Sequence, residues 1–223
     1  MLNREHGGAW DGYFARHFGI RFNAEELRRQ KRFLAGQLRI IEQISPIDSG
    51  DKILEIGCGI GALISLVKER GVADITALEL DSEAAEFVRQ SENVSVLTSS
   101  IEESRLDGEK FTKIFALEVL EHIHNPVQDL KKIHDLLTEG GLFIATTPYP
   151  FNKNIISDET HLYVLPPLCW RRILEAAEFR EIKMQPLSAI PLLYRFSHIF
   201  SLYLPMYIPG LKLVSTTLII AKK

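Results

Sequence analysis

The sequence has little cysteine and no excess of positive charge. Its 223 residues include two cysteines, Cys58 and Cys169, which are too few for a disulfide scaffold in a chain of this length. Its 26 lysines and arginines are outnumbered by 29 acidic residues, so no basic field favours nucleic acid as a partner. The first residues, Met1 to His6, lack the apolar core of a signal peptide. These absences predict a cytoplasmic protein.

A long uninterrupted apolar run is also missing. The most apolar segment, residues 186–212, is interrupted by Arg195 and by prolines, and its continuous run is shorter than the roughly 20 residues that a membrane-spanning helix needs. Its apolar residues between Leu192 and Leu204 recur at helical spacing, on the face opposite Arg195. Three interpretations remain open: a lid helix packed on the domain, a helix lying on a membrane surface, or a homodimer contact.

The most informative stretch is residues 53–63, where an apolar run leads into three glycines at alternate positions, Gly57, Gly59 and Gly61. This order predicts a strand, a tight turn and a helix. Glycine tolerates positive φ and lets a ligand lie against the backbone, while the start of a helix directs free N–H groups at that ligand. A phosphate loop is excluded because no Gly-Lys-Ser/Thr follows. The spacing also differs from the G-x-G-x-x-G fingerprint of dinucleotide sites.

The remaining pattern predicts an α/β domain. Residues 52–56 are predicted to form a strand, in which Ile53, Leu54 and Ile56 supply the apolar side chains expected of a parallel strand buried on both faces. Asn23 and Asn125 each precede a predicted helix, the second with Pro126 at its first position. The further predicted strands are 75–81, 93–98, 113–117, 142–147, 180–185 and 215–221, and the last two would form an antiparallel pair.

This combination of features resembles the class I S-adenosylmethionine (SAM) methyltransferases. There are three such features: the motif E-x-G-x-G-x-G that starts at Glu55, the acid that ends the second strand, and a later helix that is followed by Gly140-Gly141 and a strand. The ubiquinone-biosynthesis O-methyltransferase-like branch is the nearest, and the resemblance covers about residues 50–180. It implies one α/β domain, with a doubly wound, seven-stranded, mostly parallel sheet and an N-terminal helical cover. The expected parts are the cover (1–45), the SAM-binding core (46–185), the apolar insert (186–212) and the last strand (213–223).

The resemblance also implies a cofactor site. Glu79 would accept hydrogen bonds from both ribose hydroxyls, because a carboxylate offers two acceptor oxygens and no donor, and Asp81 would cap the next helix. Many relatives have an acid near Ser100, so here a serine hydroxyl would bond the adenine and Ile101 would pack on its face. The implied cofactor-binding residues are Glu55, Gly57, Cys58, Gly59, Gly61, Glu79, Leu80, Ser100, Ile101 and Leu117.

A second group of polar residues follows the fourth strand. Glu118, Glu121 and His122 are spaced i, i+3 and i+4 and would share one face of a helix, and His161 from a long loop would complete a four-ligand set. This set resembles relatives in which a divalent ion, such as magnesium or zinc, lies beside SAM. Alternatively, His122 or His161 is a general base and Glu118 lines the pocket. In a third interpretation both histidines are only hydrogen-bonded within the domain.

The expected reaction is methyl transfer to an oxygen of a small molecule, such as a quinone precursor, a polyketide or a sugar. The alternatives are a methyltransferase acting on RNA or protein and a SAM-binding subunit without catalysis.

Aromatic residues recur at helical spacing between Trp10 and Phe18, with Tyr13 among them. They form either a helix packed on the core or a cover over the substrate pocket.

Overall fold

The part of the chain that the structure describes forms an eight-stranded sheet with helices on both faces. The computed structural model describes residues 11–13, 16, 19, 22–150, 159–189, 203–204 and 214–223. The strands are β1 (Lys52–Ile56), β2 (Asp74–Leu78), β3 (Ser95–Leu97), β4 (Phe111–Leu117), β5 (Leu137–Pro148), β6 (Arg180–Ala189), β7 (Tyr203–Leu204) and β8 (Val214–Lys222). The helices are α1 (Ala24–Ile44), α2 (Ala62–Lys68), α3 (Ser82–Glu92), α4 (Pro126–Leu136) and α5 (Pro167–Ala176), and a short 3-10 helix spans Leu120–His122.

The strand order is β3-β2-β1-β4-β5-β8-β6-β7. Strands β3, β2, β1, β4 and β5 are parallel to one another, whereas β8 is antiparallel to both β5 and β6. The doubly wound, mostly parallel sheet is therefore confirmed, together with the antiparallel pair of β6 and β8. The edge strand β7 adds an eighth strand to the seven that were predicted. Its order reverses between β1 and β4, so the carboxyl ends of these two strands form the crevice where open α/β sheets bind ligands.

Two hydrophobic cores, one on each face of the sheet, hold the helices in place. One is built around Trp170, Phe143 and Phe111 and includes apolar residues of α4 and α5. The other joins α1, α2 and α3 to the opposite face, with Leu38 and Ile41 fully buried. Burial of this apolar surface is the main force that fixes the crevice relative to the helices.

The apolar insert begins later than predicted and contains strand residues. Strand β6 runs to Ala189 and includes Pro186. A proline is tolerated there because β7 pairs only with residues 188–189 of β6, so that one side of Pro186 is an unpaired sheet edge. Tyr203 and Leu204, predicted to lie on a helical face, form β7 instead, because their backbone pairs with this edge. The rest of the insert lies outside the described residues, so its membrane and homodimer interpretations stay predictions. No helix in the described ranges is both long and apolar enough to cross a bilayer.

The predicted helix caps are largely confirmed. The side-chain oxygen of Asn23 accepts hydrogen bonds from Glu25 and Glu26 at 3.0 and 2.9 Å, and the Asp81 side chain caps α3 in the same way. Asn125 stands at the start of α4, but its side chain makes no capping bond there. The aromatic helix predicted over residues 9–22 falls mostly outside the described residues.

The junction between α4 and β5 differs from the prediction. The strand begins at Leu137, immediately after the helix, so Gly140 and Gly141 lie within the strand and do not open it. Gly140 has a positive φ of 73°, and the pairing of β5 with β4 shifts register between Phe111 and Lys113. The glycines therefore accommodate a β-bulge.

Candidate functional site

The glycine loop, residues 57–61, connects β1 to α2 at the crevice. Its glycines all have left-handed backbone conformations, with φ of 70° at Gly57, 52° at Gly59 and 82° at Gly61. The backbone N–H groups of Gly57 and Cys58 donate to the Leu78 carbonyl, at 2.8 and 3.1 Å. These bonds fix the loop to the end of the neighbouring strand β2. The strand, tight turn and helix predicted here are confirmed.

Glu79 follows β2 and points back at this loop. One carboxylate oxygen, Oε2, accepts from the Gly59 N–H at 2.7 Å, and Oε1 accepts from the Asp81 N–H at 2.9 Å. Burial raises the pKa of Glu79 to about 7, although the backbone N–H groups of Asp81, Gly59 and Leu80 lower it. Each carboxylate oxygen can accept more than one hydrogen bond, so Glu79 retains acceptor capacity for a ligand hydroxyl.

Glu55 is a buried acid in β1, two residues before the loop. Its side chain is 4% exposed, and no side chain caps α2, whose N-cap residue is Gly61. Burial, and secondarily the charge of Glu79, raises the pKa of Glu55 well above its usual value. Burial likewise raises the pKa of the neighbouring Cys58 thiol.

The other implied cofactor residues have mixed positions. Leu80 and Leu117 are half-buried at the ends of β2 and β4. The Ser100 hydroxyl accepts from the Glu103 N–H at 3.1 Å, which leaves its hydrogen able to donate to a ligand. Ile101 is 3% exposed and belongs to the core beside α4, so it offers little surface to an adenine ring in this conformation.

Replacement of Gly57 by alanine is expected to destabilise the protein by about 2–5 kcal/mol. An L-residue in the left-handed region costs about 1–2 kcal/mol. In addition, the new Cβ would lie 2.6 Å from Val119 Cγ2, an overpacking that costs about 1–3 kcal/mol. The measurement is the free energy of unfolding in denaturant.

The matched control for this experiment is Gly108→Ala. Gly108 has a φ of 86°, and an added Cβ would meet nothing within 4 Å, so this variant reports the backbone penalty alone. Equal destabilisation by the two substitutions would show that Val119 moves aside and that the loop is not tightly packed there.

Glu118 lies at the end of β4 and is not part of a helix. Its φ is 56°, and its N–H donates to the Thr146 carbonyl at 2.9 Å, so sheet pairing holds it outside the 3-10 helix that begins at Leu120. The prediction that Glu118 shares a helical face with the two residues 121 and 122 is therefore wrong. Its Oε1 instead accepts from Thr216 Oγ1 at 2.7 Å.

The carboxyl group of Glu118 still interacts electrostatically with His161, one of the other predicted ligands. Solvent reaches its side chain, yet the protein packed around the carboxyl group raises its pKa by desolvation. Hydrogen bonds from Thr216 and Thr146, and then the charge of His161, act in the opposite direction and lower that pKa. Glu118 thus lies close enough to His161 to interact with it electrostatically.

Three of the four predicted ligands come together. One ligand atom from each of Glu121, His122 and His161 lies within 4.8 Å of the others, and the two imidazole rings are edge to face with centroids 4.9 Å apart. The Glu121 carbonyl accepts from the N–H groups of Leu162 and Tyr163 at 2.7 and 3.1 Å. These bonds hold the loop that carries His161 against the 3-10 helix.

The hydrogen bonding of His122 identifies its basic nitrogen. His122 Nδ1 lies 2.9 Å from the Thr160 carbonyl oxygen. A carbonyl can only accept a hydrogen bond, so the proton is on Nδ1 and the lone pair of the neutral ring is on Nε2. His122 Nε2 is therefore the atom suited to bind a metal or to accept a proton.

Three threonines of this site were not predicted from the sequence. Thr146 and Thr216 position Glu118, and Thr160 orients His122. Tyr13, predicted to lie in a core helix or in a cover over the pocket, contacts Thr160. The available signal was weak: threonines interrupt two otherwise apolar strands, at 146–147 and at 216–217.

A family model described as a methyltransferase domain matches residues 24–183. The ubiquinone biosynthesis O-methyltransferase of Haemophilus ducreyi is 31% identical over 131 residues, which cover 52% of this chain and 55% of that protein. The same enzyme of Glaesserella parasuis is 34% identical over 131 residues, with the same shares of 52% and 55%. The chain thus spans a little over half the length of these curated relatives.

A solved structure with a similar fold is a SAM-dependent methyltransferase from Archaeoglobus fulgidus. Its TM-score is 0.65 and its identity 20%, and the match covers 90% of this chain and 100% of that one. At this identity the likeness shows the fold alone. The family model, by contrast, spans most of the chain and includes both the glycine loop and the Glu121–His122 cluster. The chain therefore belongs to the class I S-adenosylmethionine-dependent methyltransferases.

Proposed function

We propose that the protein transfers a methyl group from S-adenosylmethionine to an oxygen of a small molecule. The observation that best supports this proposal is the hydrogen bond from the Gly59 N–H to Glu79 Oε2. It brings a glycine turn, which has no side chains in the way, and a carboxylate together at the same crevice. The turn suits the amino acid end of the cofactor, since no side chain intervenes. Glu79 suits the two ribose hydroxyls, because its ionised carboxylate offers two acceptor oxygens and no donor.

The cluster of Glu121, His122 and His161 supports the chemistry at the acceptor. The sulfonium of the cofactor already carries a good leaving group, so the protein has to align the acceptor oxygen and remove its proton. His122 Nε2 has the lone pair for that proton, and an imidazole titrates near neutral pH. Oxygen acceptors fit this arrangement because a hydroxyl has to lose its proton during transfer.

A divalent ion fits the same cluster. Two ligand atoms that each lie about 2.0–2.2 Å from a shared metal ion are about 3–4.5 Å from each other. The ligand atoms of this cluster lie within 4.8 Å of one another, which is close to that spacing. Mixed carboxylate and imidazole donors suit magnesium or zinc without selecting one. Glu121, His122 and His161 would hold the ion, with Glu118 at the edge of the set. When bound, the ion would lower the pKa of an acceptor hydroxyl and fix its direction.

The names of the curated relatives favour an acceptor with a phenolic hydroxyl, such as a quinone precursor. A polyketide or a sugar presents similar hydroxyl groups. An RNA acceptor fits less well, since the chain has a net charge of −3 and no basic footprint for a phosphate backbone.

A screen of hydroxyl-bearing acceptors with methyl-labelled SAM, run with and without a chelator, tests this proposal. We expect transfer to at least one phenol or polyol. Loss of turnover on chelation, restored by magnesium or zinc, would support the metal site, whereas indifference would leave His122 as a metal-free base. SAM binding without transfer to any acceptor would indicate a non-catalytic binding subunit.

A further inference from the structure

Two buried threonines at the carboxyl end of the parallel strands are not used by the mechanism above. Thr147, the last residue but one of β5, and Thr217 of β8 are 0% and 1% exposed. Neither side-chain hydroxyl has a hydrogen-bond partner among the described residues. A buried hydroxyl without a partner destabilises the fold, so two such groups indicate a missing water or ligand.

The two side chains lie next to each other and form a threonine pair. Thr147 and Thr217 are directly opposite in the antiparallel pairing of β5 with β8, so their Cβ atoms are about 4.5–5.5 Å apart on one face of the sheet. The residues before them, Thr146 and Thr216, point to the other face and are hydrogen-bonded to Glu118. The threonine pair is therefore separate from the contacts that hold Glu118.

The threonine pair points to the face of the sheet that carries the acceptor cluster. Phe143 and Ile219 lie an even number of residues away along the two strands and belong to the core beneath α4 and α5. Since side chains alternate between the faces of a strand, the two threonines share this side of the sheet. The same core contains Leu120 and Ile123, which flank two residues of the cluster.

The strand register places the threonine pair close to the cluster. Leu117 of β4 pairs with Thr146 of β5, so the next residues, Glu118 and Thr147, are neighbours at the ends of these strands. Neighbouring strands are about 4.8 Å apart, so Thr147 lies about 5 Å and Thr217 about 10 Å from the backbone of Glu118. An aromatic ring with a substituent at each end spans a distance of this order.

We propose that Thr147 and Thr217 form a specificity subsite of the acceptor pocket. The subsite binds a second oxygen of the acceptor, across the ring from the hydroxyl that is methylated. This inference rests on the proposed function and directs it to phenols with a para oxygen. A threonine hydroxyl donates and accepts, so the second group is a hydroxyl, a carbonyl or a carboxylate. Because the pair is enclosed in the empty protein, the acceptor reaches it when the site opens for substrate entry.

The test exchanges a hydroxyl for a methyl group on both the acceptor and the protein. Hydroquinone and p-cresol have the same shape and differ in this one group. The wild type should prefer hydroquinone by at least about fivefold in kcat/KM, after correction for its two equivalent hydroxyls, as expected of one hydrogen bond. The double variant Thr147→Val, Thr217→Val should lose this preference through a higher KM for hydroquinone, with kcat on p-cresol unchanged.

Two further variants serve as controls for this exchange. The double variant Thr147→Ser, Thr217→Ser keeps both hydroxyls and should keep the preference. Thr76→Val changes a threonine within β2, away from the acceptor cluster, and should alter neither kinetic constant. An unchanged preference in the valine double variant would overturn the subsite.

The stability of the empty protein distinguishes the subsite from a site for a buried water. Valine removes two unpartnered polar groups, so the Tm of the valine double variant should equal or exceed that of the wild type. A lower Tm would mean that the hydroxyls already have partners, and the subsite would be refuted. If the wild type methylates an acceptor of the screen but does not prefer hydroquinone to p-cresol, the subsite fails and the proposed function stands. Transfer to no acceptor would overturn both.

Discussion

Glu79→Ala is expected to raise the dissociation constant for SAM about ten- to a hundredfold. The carboxylate would accept hydrogen bonds from the ribose hydroxyls, and bonds to a charged group are worth about 1.5–3 kcal/mol, where about 1.4 kcal/mol is tenfold. Calorimetric titration measures the constant directly. Glu83→Ala is the matched control, since it removes an exposed acid from the first turn of α3.

The affinity for SAM should also depend on pH through Glu79. Burial raises the pKa of this group to about 7, and only the ionised form is an acceptor at both oxygens. Affinity should therefore fall as the pH decreases from 8 to 6 and level off above 8. Glu79→Gln, which cannot titrate, should bind more weakly at pH 8 and lose this dependence. An unchanged constant in Glu79→Ala would mean that the ribose lies elsewhere.

The raised pKa of Glu79 has an opposite consequence for folding. The native state holds a proton up to about pH 7, whereas the unfolded carboxyl loses it near its ordinary value. Between these pH values the native state binds more protons, so this group's contribution to stability decreases as the pH rises. Acid conditions thus favour the empty fold, and neutral to alkaline conditions favour cofactor binding.

The local structure of the proposed cofactor side was predictable from the sequence because its signals are local. Gly57, Gly59 and Gly61 are required by backbone angles within one turn, and Glu79 stands at the predicted end of an apolar strand. Local sequence also identified the caps at Asn23 and Asp81. In each case the deciding interaction spans only a few residues, so the residue pattern carries the information.

The acceptor side was less predictable because distant segments determine it. The spacing of Glu118 and Glu121 suggests a helix, but pairing of Glu118 with Thr146 on β5 overrides that local preference. The contacts of Tyr13 with Thr160 and of Thr216 with Glu118 join positions 147 and 98 residues apart. No periodicity within a single element encodes such pairs.

The conformation of Glu178 was not predicted from the sequence. Its φ is 73°, in the region that glycine favours. It follows the end of α5, and its carboxylate pairs with Lys131 Nζ at 2.8 Å. An exposed pair of this kind contributes little, so the fold retains the backbone strain at this position.

His122→Gln is expected to reduce kcat by about a hundred- to ten-thousandfold, the range typical of lost general-base catalysis. The side-chain amide of glutamine can still donate a hydrogen bond to the Thr160 carbonyl, but it has no basic nitrogen. The loss should therefore appear in turnover while the dissociation constant for SAM stays near the wild-type value. Single-turnover transfer to the acceptor found in the screen measures the chemical step apart from product release.

His124→Gln is the matched control, because it changes an exposed histidine two positions along the chain that is not part of the cluster. It should leave turnover within about twofold of the wild type, as expected for a surface substitution. If both variants lost activity equally, the effect would belong to the conformation of the segment after β4 and not to His122 Nε2. If His122→Gln retained full turnover, proton removal would have to be assigned to another group, with His161 the next candidate because its ring faces that of His122.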